Sequence, residues 1–181
     1  MRSATRPAAP LYTAEQRRRR DETPWTLVQG VLAPLQFLVF LVSLVLIVRA
    51  LATGHGLFAA AVSVVVKTLF LYAIMVTGAI WEKRVFGRYL FAPAFFWEDV
   101  FSMLVIALHT AYMVALFTGW LDARAQLVLA LFAFAAYVIN AGQFLLKLRA
   151  ARLSEQHLTA GAAADAAADA VEAAALRGAT R

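Results

Sequence analysis

Residues Phe95–Phe117 read FFWEDVFSMLVIALHTAYMVALF, and this stretch decides the fold. It is long enough to cross a bilayer, because a hydrocarbon core about 30 Å thick needs about 20 apolar residues of helix. Yet it contains Glu98, Asp99 and His109. A charged group inside a membrane helix costs roughly 2.5–3.5 kcal/mol or more, so such residues normally turn toward the bundle interior and mark a site. Glu98, Ser102, Val105, His109 and Tyr112 recur at helical spacing and share one face. Glu98 and His109 lie three turns apart, about 16 Å along the axis at 1.5 Å per residue. Asp99 is rotated about 100° from Glu98, toward a neighbouring helix or the lipid headgroups, so the two acids do not form a dyad by themselves.

Three further apolar stretches have similar length: Leu27–Leu51, Leu57–Trp81 and Leu127–Leu146. Each carries polar residues of its own: Gln29 and Gln36 in the first, Lys67 in the second, Asn140 and Gln143 in the last. The chain has 181 residues, 62% of them hydrophobic and only 15% charged, with a mean hydropathy of +0.71. A soluble domain averages about 25% charged residues and lacks such runs. Four spans leave no length for a separate soluble catalytic domain. The expected fold is therefore all-α, an integral membrane bundle of four transmembrane helices. The net charge of +6 does not indicate nucleic acid, because the basic residues cluster at the ends of apolar segments. The chain has no cysteine, which excludes thiol catalysis, disulfides and thiolate metal sites.

The first apolar run is too long for the core of a cleaved signal, and Arg17–Arg20 with Asp21 and Glu22 precede it. Residues 1–24 read as a cytoplasmic N-terminal arm, 25–153 as the transmembrane domain, and 154–181 as an alanine-rich tail without persistent structure. Thr23 and Pro24 suit the cap and first turn of helix one. Arg17–Arg20, then Lys83, Arg84 and Arg88, then Lys147, Arg149 and Arg152 fall on one side of the four spans. The positive-inside bias places that side, with both termini, in the cytoplasm. Short turns at Gly54-His55-Gly56 and Gly119-Trp120-Leu121-Asp122 make neighbouring helices antiparallel, giving up-down-up-down topology. The two halves show no internal repeat.

On this topology Glu82, Glu98, Asp99, Gln36, Asn140 and Gln143 come from different helices into the cytoplasmic half of the bilayer. Each has a plainer reading. Glu98 and Asp99 could be first-turn acids after Pro93. His109 could be a hydrogen-bonded interior residue. Lys67 could snorkel or pair inside the bundle. Asn140 and Gln143 could be interhelical glue. Trp25, Trp81, Trp97 and Tyr89 could be an interfacial aromatic belt. Their convergence is more specific than any one of them. No glycine-rich phosphate loop, HExxH or nucleophile elbow is present, and the spans hold no second histidine to complete an axial haem pair. A pocket of acids and amides with one imidazole suits acid–base chemistry on an apolar ligand.

The stretches Arg17–Ser43 (RRRRDETPWTLVQGVLAPLQFLVFLVS), Val66–Met113, which contains APAFFWEDV at Ala92–Val100, and Tyr137–Leu153 (YVINAGQFLLKLRAARL) closely resemble the 3-vinyl bacteriochlorophyllide hydratase family, called 2-vinyl in older nomenclature. The resemblance runs from about Leu11 to Leu153 and leaves out both tails. It implies addition of water to the ring-A vinyl of a magnesium chlorin or bacteriochlorin, giving a 1-hydroxyethyl group, in bacteriochlorophyll a synthesis. It further implies residence in the cytoplasmic or intracytoplasmic membrane of a phototrophic bacterium. Hydration of this kind needs a proton at the terminal vinyl carbon, water at the inner carbon, and a flat apolar slot.

On that chemistry Glu98 is the expected acid, with Asp99 or Glu82 activating water. Asn140, Gln143 and Gln36 would hold the water or the ring-E carbonyls, and His109 would ligate the magnesium of the substrate. Trp97 joins the substrate-binding residues, and Lys83, Arg84 and Arg88 would pair with the propionate. No cofactor or protein-owned metal is expected; water is the co-substrate. Expected partners are the magnesium chlorin and the lipid bilayer, not nucleic acid, with other pigment-synthesis enzymes or a second copy of the chain as further candidates. The main alternative is a membrane subunit that binds pigment without chemistry. Such a subunit has little reason to bury Glu82, Glu98 and Asp99. A proton or ion pathway would need polar groups continuing to the far side, where only Lys67 and His109 are available.

Overall fold

The computed structural model describes residues 11–179, apart from some side chains in the tail, and all regular structure among them is helical. The order is α1 (Ala14–Glu22), α2 (Pro24–Thr53), α3 (Leu57–Phe86), α4 (Phe96–Thr118) and α5 (Ala123–Ala179). Helices α2, α3 and α4, and α5 from Ala123 to Ala168, are each long and apolar enough to cross a membrane. The chain is a multi-pass membrane protein. The described residues divide into two compact units, one of Tyr12–Gln143 and one holding the part of α5 from Phe144 onward.

In the first unit, contacts between consecutive helices fix their sense. Along α2, Thr26 accepts from Trp81 at 2.9 Å, Gln29 donates to Thr77 at 2.7 Å and Ser43 meets Ser63 at 2.8 Å. The α3 partner moves back as α2 advances, so the two are antiparallel. Tyr72 bonds Thr110 at 2.7 Å and the Tyr112 hydroxyl donates to the Ala61 carbonyl at 3.4 Å, running α4 against α3. Asn140 donates to Ser102 at 2.9 Å and Gln126 to the Ala115 carbonyl at 3.3 Å, running α5 against α4. Phe40, Val64, Val105 and Phe134 bring one apolar side chain from each of these helices into a shared core. The outward faces are apolar too, with Leu27, Val45, Phe58, Val76 and Phe132 well exposed, as lipid-facing surface must be.

Two segments differ from the sequence reading. Within the N-terminal arm, Ala14–Glu22 is a helix. Thr13 and Gln16 form a reciprocal capping box, and Arg18 and Arg19 each reach Glu15 at 3.0 Å. These guanidiniums hold the exposed Glu15 carboxyl below the usual carboxylate range. In the tail, α5 stays helical to Ala179, because alanine has the highest helix propensity and no proline follows Ser154, so Gly161 alone does not end the run. Helix α3 also runs five residues beyond the expected apolar boundary at Trp81, which places Glu82 on a formed helical turn.

Candidate active site

The connection between α3 and α4 folds back over two acids. Helix α3 ends at Gly87, whose φ of 84° is left-handed. The chain then turns through Phe91, the single non-glycine residue with positive φ among those described, at 58°. A side chain in that region costs about 1–3 kcal/mol, and such strain persists only where the surroundings impose it. Here the turn aims two successive N–H groups at carboxyls. Phe91 donates to Asp99 at 2.7 Å and Ala92 to Glu82 at 3.3 Å. Glu82 and Asp99 are also hydrogen-bonded to each other through their side chains. Both are buried, at 5% and 3% exposure. Beneath the loop, Tyr12, Trp81, Phe86 and Phe95 pack ring against ring at 5.8–6.4 Å, which fixes the helix ends that carry the acids.

The 100° rotation of Asp99 therefore points it at the neighbouring helix α3 and not at headgroups. Two carboxyl groups brought together in this way are an arrangement that acid–base chemistry can use. Glu98, one residue earlier, is buried as well and shares the inward face of α4 with Ser102, Val105, His109 and Tyr112. Above it Ser102 receives the Asn140 amide.

Deeper in the bundle each helix supplies one polar side chain to a second cluster. These are Gln36 from α2, Lys67 from α3, His109 from α4 and Tyr137 from α5; Lys67 and His109 are 0% exposed. The Lys67 amino group sits 3.9 Å from the centre of the Tyr137 ring. Gln36 reaches the Tyr137 hydroxyl. The His109 Nδ1 lies 2.8 Å from the Val105 carbonyl, so Nδ1 carries the hydrogen and Nε2 is left as an acceptor. Phe134 stacks on the imidazole at 5.8 Å. The sequence placed Lys67 at this depth without making it a site residue and did not single out Tyr137. Its only signal was a lysine and a histidine at similar depth on adjacent helices.

The remaining candidates, Gln143 apart, face outward. Trp97 is 67% exposed and stands against Phe96 at 5.5 Å, and Phe96 against Phe91 at 5.8 Å. Lys83 donates to the Gly87 carbonyl at 2.9 Å and lies 5.3 Å from the centre of the Tyr89 ring. Arg84 lines a cleft of about 400 Å³ with Arg19, Glu22, Thr23, Pro24 and Trp25. Arg88 is exposed and Gln143 half-buried. An exposed strip of rings edged by cations thus lies on the loop that clasps Glu82 and Asp99. Among the described residues no group of three or more His, Cys, Asp or Glu could hold a metal ion.

Residues 12–150 match the profile of the 2-vinyl bacteriochlorophyllide hydratase family. A protein of that name from Rhodobacter capsulatus is 70% identical over 151 residues, covering 83% of this chain and 88% of the relative. Another from Cereibacter sphaeroides is 69% identical over 152 residues, covering 82% and 94%. No solved structure matches. The match takes in α1, the acid-clasping loop and the polar side chains of all four long helices, and the chain belongs to the 2-vinyl bacteriochlorophyllide hydratase family.

Proposed function

We propose that this protein hydrates the vinyl group on ring A of a magnesium chlorin or bacteriochlorin, as the name of its relatives states for bacteriochlorophyllide, and that Glu82 and Asp99 act as one acid–base unit. The hydrogen-bonded, buried pair, with a backbone N–H on each carboxyl, is the observation that carries the mechanism. The protonated carboxyl gives its hydrogen to the terminal vinyl carbon, which becomes a methyl group. The cation that develops at the inner carbon is delocalised into the macrocycle. Water bonds there and loses its proton to the carboxylate partner, leaving a 1-hydroxyethyl group. The proton then passes back across the Glu82–Asp99 contact, so each cycle adds one water and consumes nothing else. Proton transfers by positioned groups contribute roughly 10²–10⁴ in rate. Glu98, buried beside Asp99 on the face leading to Ser102, holds the attacking water. This moves the donor role from Glu98, where the sequence put it, to the acids that touch.

The macrocycle lies flat on Phe91, Phe96 and Trp97, with its propionate toward Lys83, Arg84 and Arg88. Offset ring stacking and exposed basic groups suit such a ligand. On this placement His109, about 16 Å from Glu98, is too deep to ligate the magnesium. The acid cluster and the basic residues lie at the cytoplasmic face of the cytoplasmic or intracytoplasmic membrane, with both termini inside, on the positive-inside bias. Reporter fusions after Arg20 and Arg152 then read cytoplasm and one after Asp122 the opposite side; a C-terminal fusion outside would overturn the orientation. The reaction itself is tested by incubating membranes that contain the protein with a 3-vinyl magnesium chlorin in ¹⁸O-labelled water. The expected product carries one labelled oxygen. Pigment that binds and returns unchanged would make the protein a carrier.

A further inference from the structure

The interior of the bundle contains two kinds of buried polar atom. Those nearer the α2–α3 and α4–α5 turns have partners: Ser43 with Ser63 at 2.8 Å, Tyr112 with the Ala61 carbonyl at 3.4 Å, and Gln126 with the Leu121 carbonyl at 2.8 Å. Within the spans, the buried side-chain atoms without a hydrogen-bond partner among the described residues are Gln36 Oε1, Lys67 Nζ, His109 Nε2, Asn140 Oδ1 and Gln143 Oε1. They form a sequence along the bundle axis. Lys67 and His109 share the level of Phe134 and Tyr137; Gln36 adjoins Tyr137; Asn140, bonded to Ser102, comes next, and Gln143 follows one turn on. On α4 the same path descends from His109 through Ser102 to Glu98. A buried polar atom without a partner costs about 1–3 kcal/mol, and five in one file call for a common occupant.

We propose that this file is a blind-ended water track, closed at Lys67 and His109 and open toward Glu98, that stores and delivers the co-substrate water. The donors and acceptors match water and little else. His109 Nε2 and Gln36 Oε1 accept, Lys67 Nζ donates, and a buried water typically makes about three hydrogen bonds. A metal-bearing macrocycle would have to part α4 from α5 to reach Nε2, because Phe134 is stacked on the ring and both His109 and Lys67 are sealed from the surface. The track stops where the partnered groups begin, which fits a pocket and not a route across the membrane. The hydration role rests on the hydratase reading; the water occupancy does not.

Radiolytic footprinting of the pigment-free full-length protein in membranes, with ¹⁸O-labelled water, separates the two. Hydroxyl radicals generated from bound water mark side chains next to that water even when they are buried. His109 and Tyr137 are expected to take up label about tenfold faster than Tyr112, which is bonded to Ala61, because only the first two border bound water. His109 and Tyr112, both 0% exposed, are the like-for-like pair, Tyr137 being 7% exposed. Uptake no faster than at Tyr112 means a dry interior and overturns the proposal, whether or not the protein hydrates pigment. In Lys67→Met the uptake at both residues falls, and kcat for hydration falls about tenfold while KM changes less than about threefold; Lys67→Gln, which keeps a donor, restores most of both. Wild-type kcat in folded Lys67→Met would refute the delivery role. Loss of binding in His109→Leu for a magnesium chlorin but not for its metal-free form would make Nε2 the magnesium ligand and refute the track.

Discussion

The loop end and the turn end of this bundle bury polar groups by opposite rules. Toward the α2–α3 turn, Ser43 and Ser63 bond each other and Tyr112 bonds a carbonyl of α3; each polar group is spent on holding helices together. Toward the α3–α4 loop, two acids touch, the backbone is bent through a left-handed Phe91 to reach them, and amide oxygens of Gln36, Asn140 and Gln143 are left unpartnered among the described residues. Interhelical polar contacts in membranes average about 0.6 kcal/mol, so the first arrangement is modest glue. The second arrangement spends stability on strain and on unmatched groups, which folding alone does not require. The proposed chemistry belongs at the second end.

The strongest way to break this contrast is to neutralise either touching acid. Glu82→Gln and Asp99→Asn are each expected to slow hydration by roughly 10²–10⁴, measured as labelled hydroxyethyl product, while pigment still binds. Next in size is Glu98→Gln, whose amide still hydrogen-bonds water; a loss of about tenfold is expected. A loss as large as that of the paired acids, with Asp99→Asn active, would return the donor role to Glu98. The loop can be tested through Phe91. Phe91→Gly keeps the N–H and adopts φ near 58° without strain but loses a stacking ring, so kcat should stay within about threefold while KM rises. Phe91→Pro removes the donor and locks φ near −65°, and should cost about tenfold or more. The smallest effect is expected at the opposite end. Tyr112→Phe should lower stability by about 0.6–1 kcal/mol in a thermal or denaturant assay and leave turnover unchanged. A large catalytic loss there would erase the distinction between the two ends.

Much of this was legible in the residues. The four spans and the α4 face of Glu98, Ser102 and His109 follow from length and helical period, because lipid forces every backbone group into a helix and every charge inward. The Glu82–Asp99 contact was only partly legible: depth put both acids in the same half of the bilayer, but not in contact. It depends on how far α3 continues past Trp81 and on one backbone turn at Phe91, and no periodicity encodes either. Lys67 illustrates the same limit: its depth could be counted, but its neighbour Tyr137 lies on a helix packed in from far along the chain. Helix α1 was missed although its signal, Thr13 followed by Gln16, is the cap pattern that marks a helix start.

The central claim is that Glu82 and Asp99 work as a unit sharing one proton, and a double-variant cycle tests it most directly. Hydration would be measured under single-turnover conditions for Glu82→Gln, Asp99→Asn and the combined variant, with pigment binding confirmed for each. Groups that act as one lose their function once. The double variant should therefore be no more than about threefold slower than the slower single. If the two losses multiply, the acids act independently and the shared-proton mechanism is wrong.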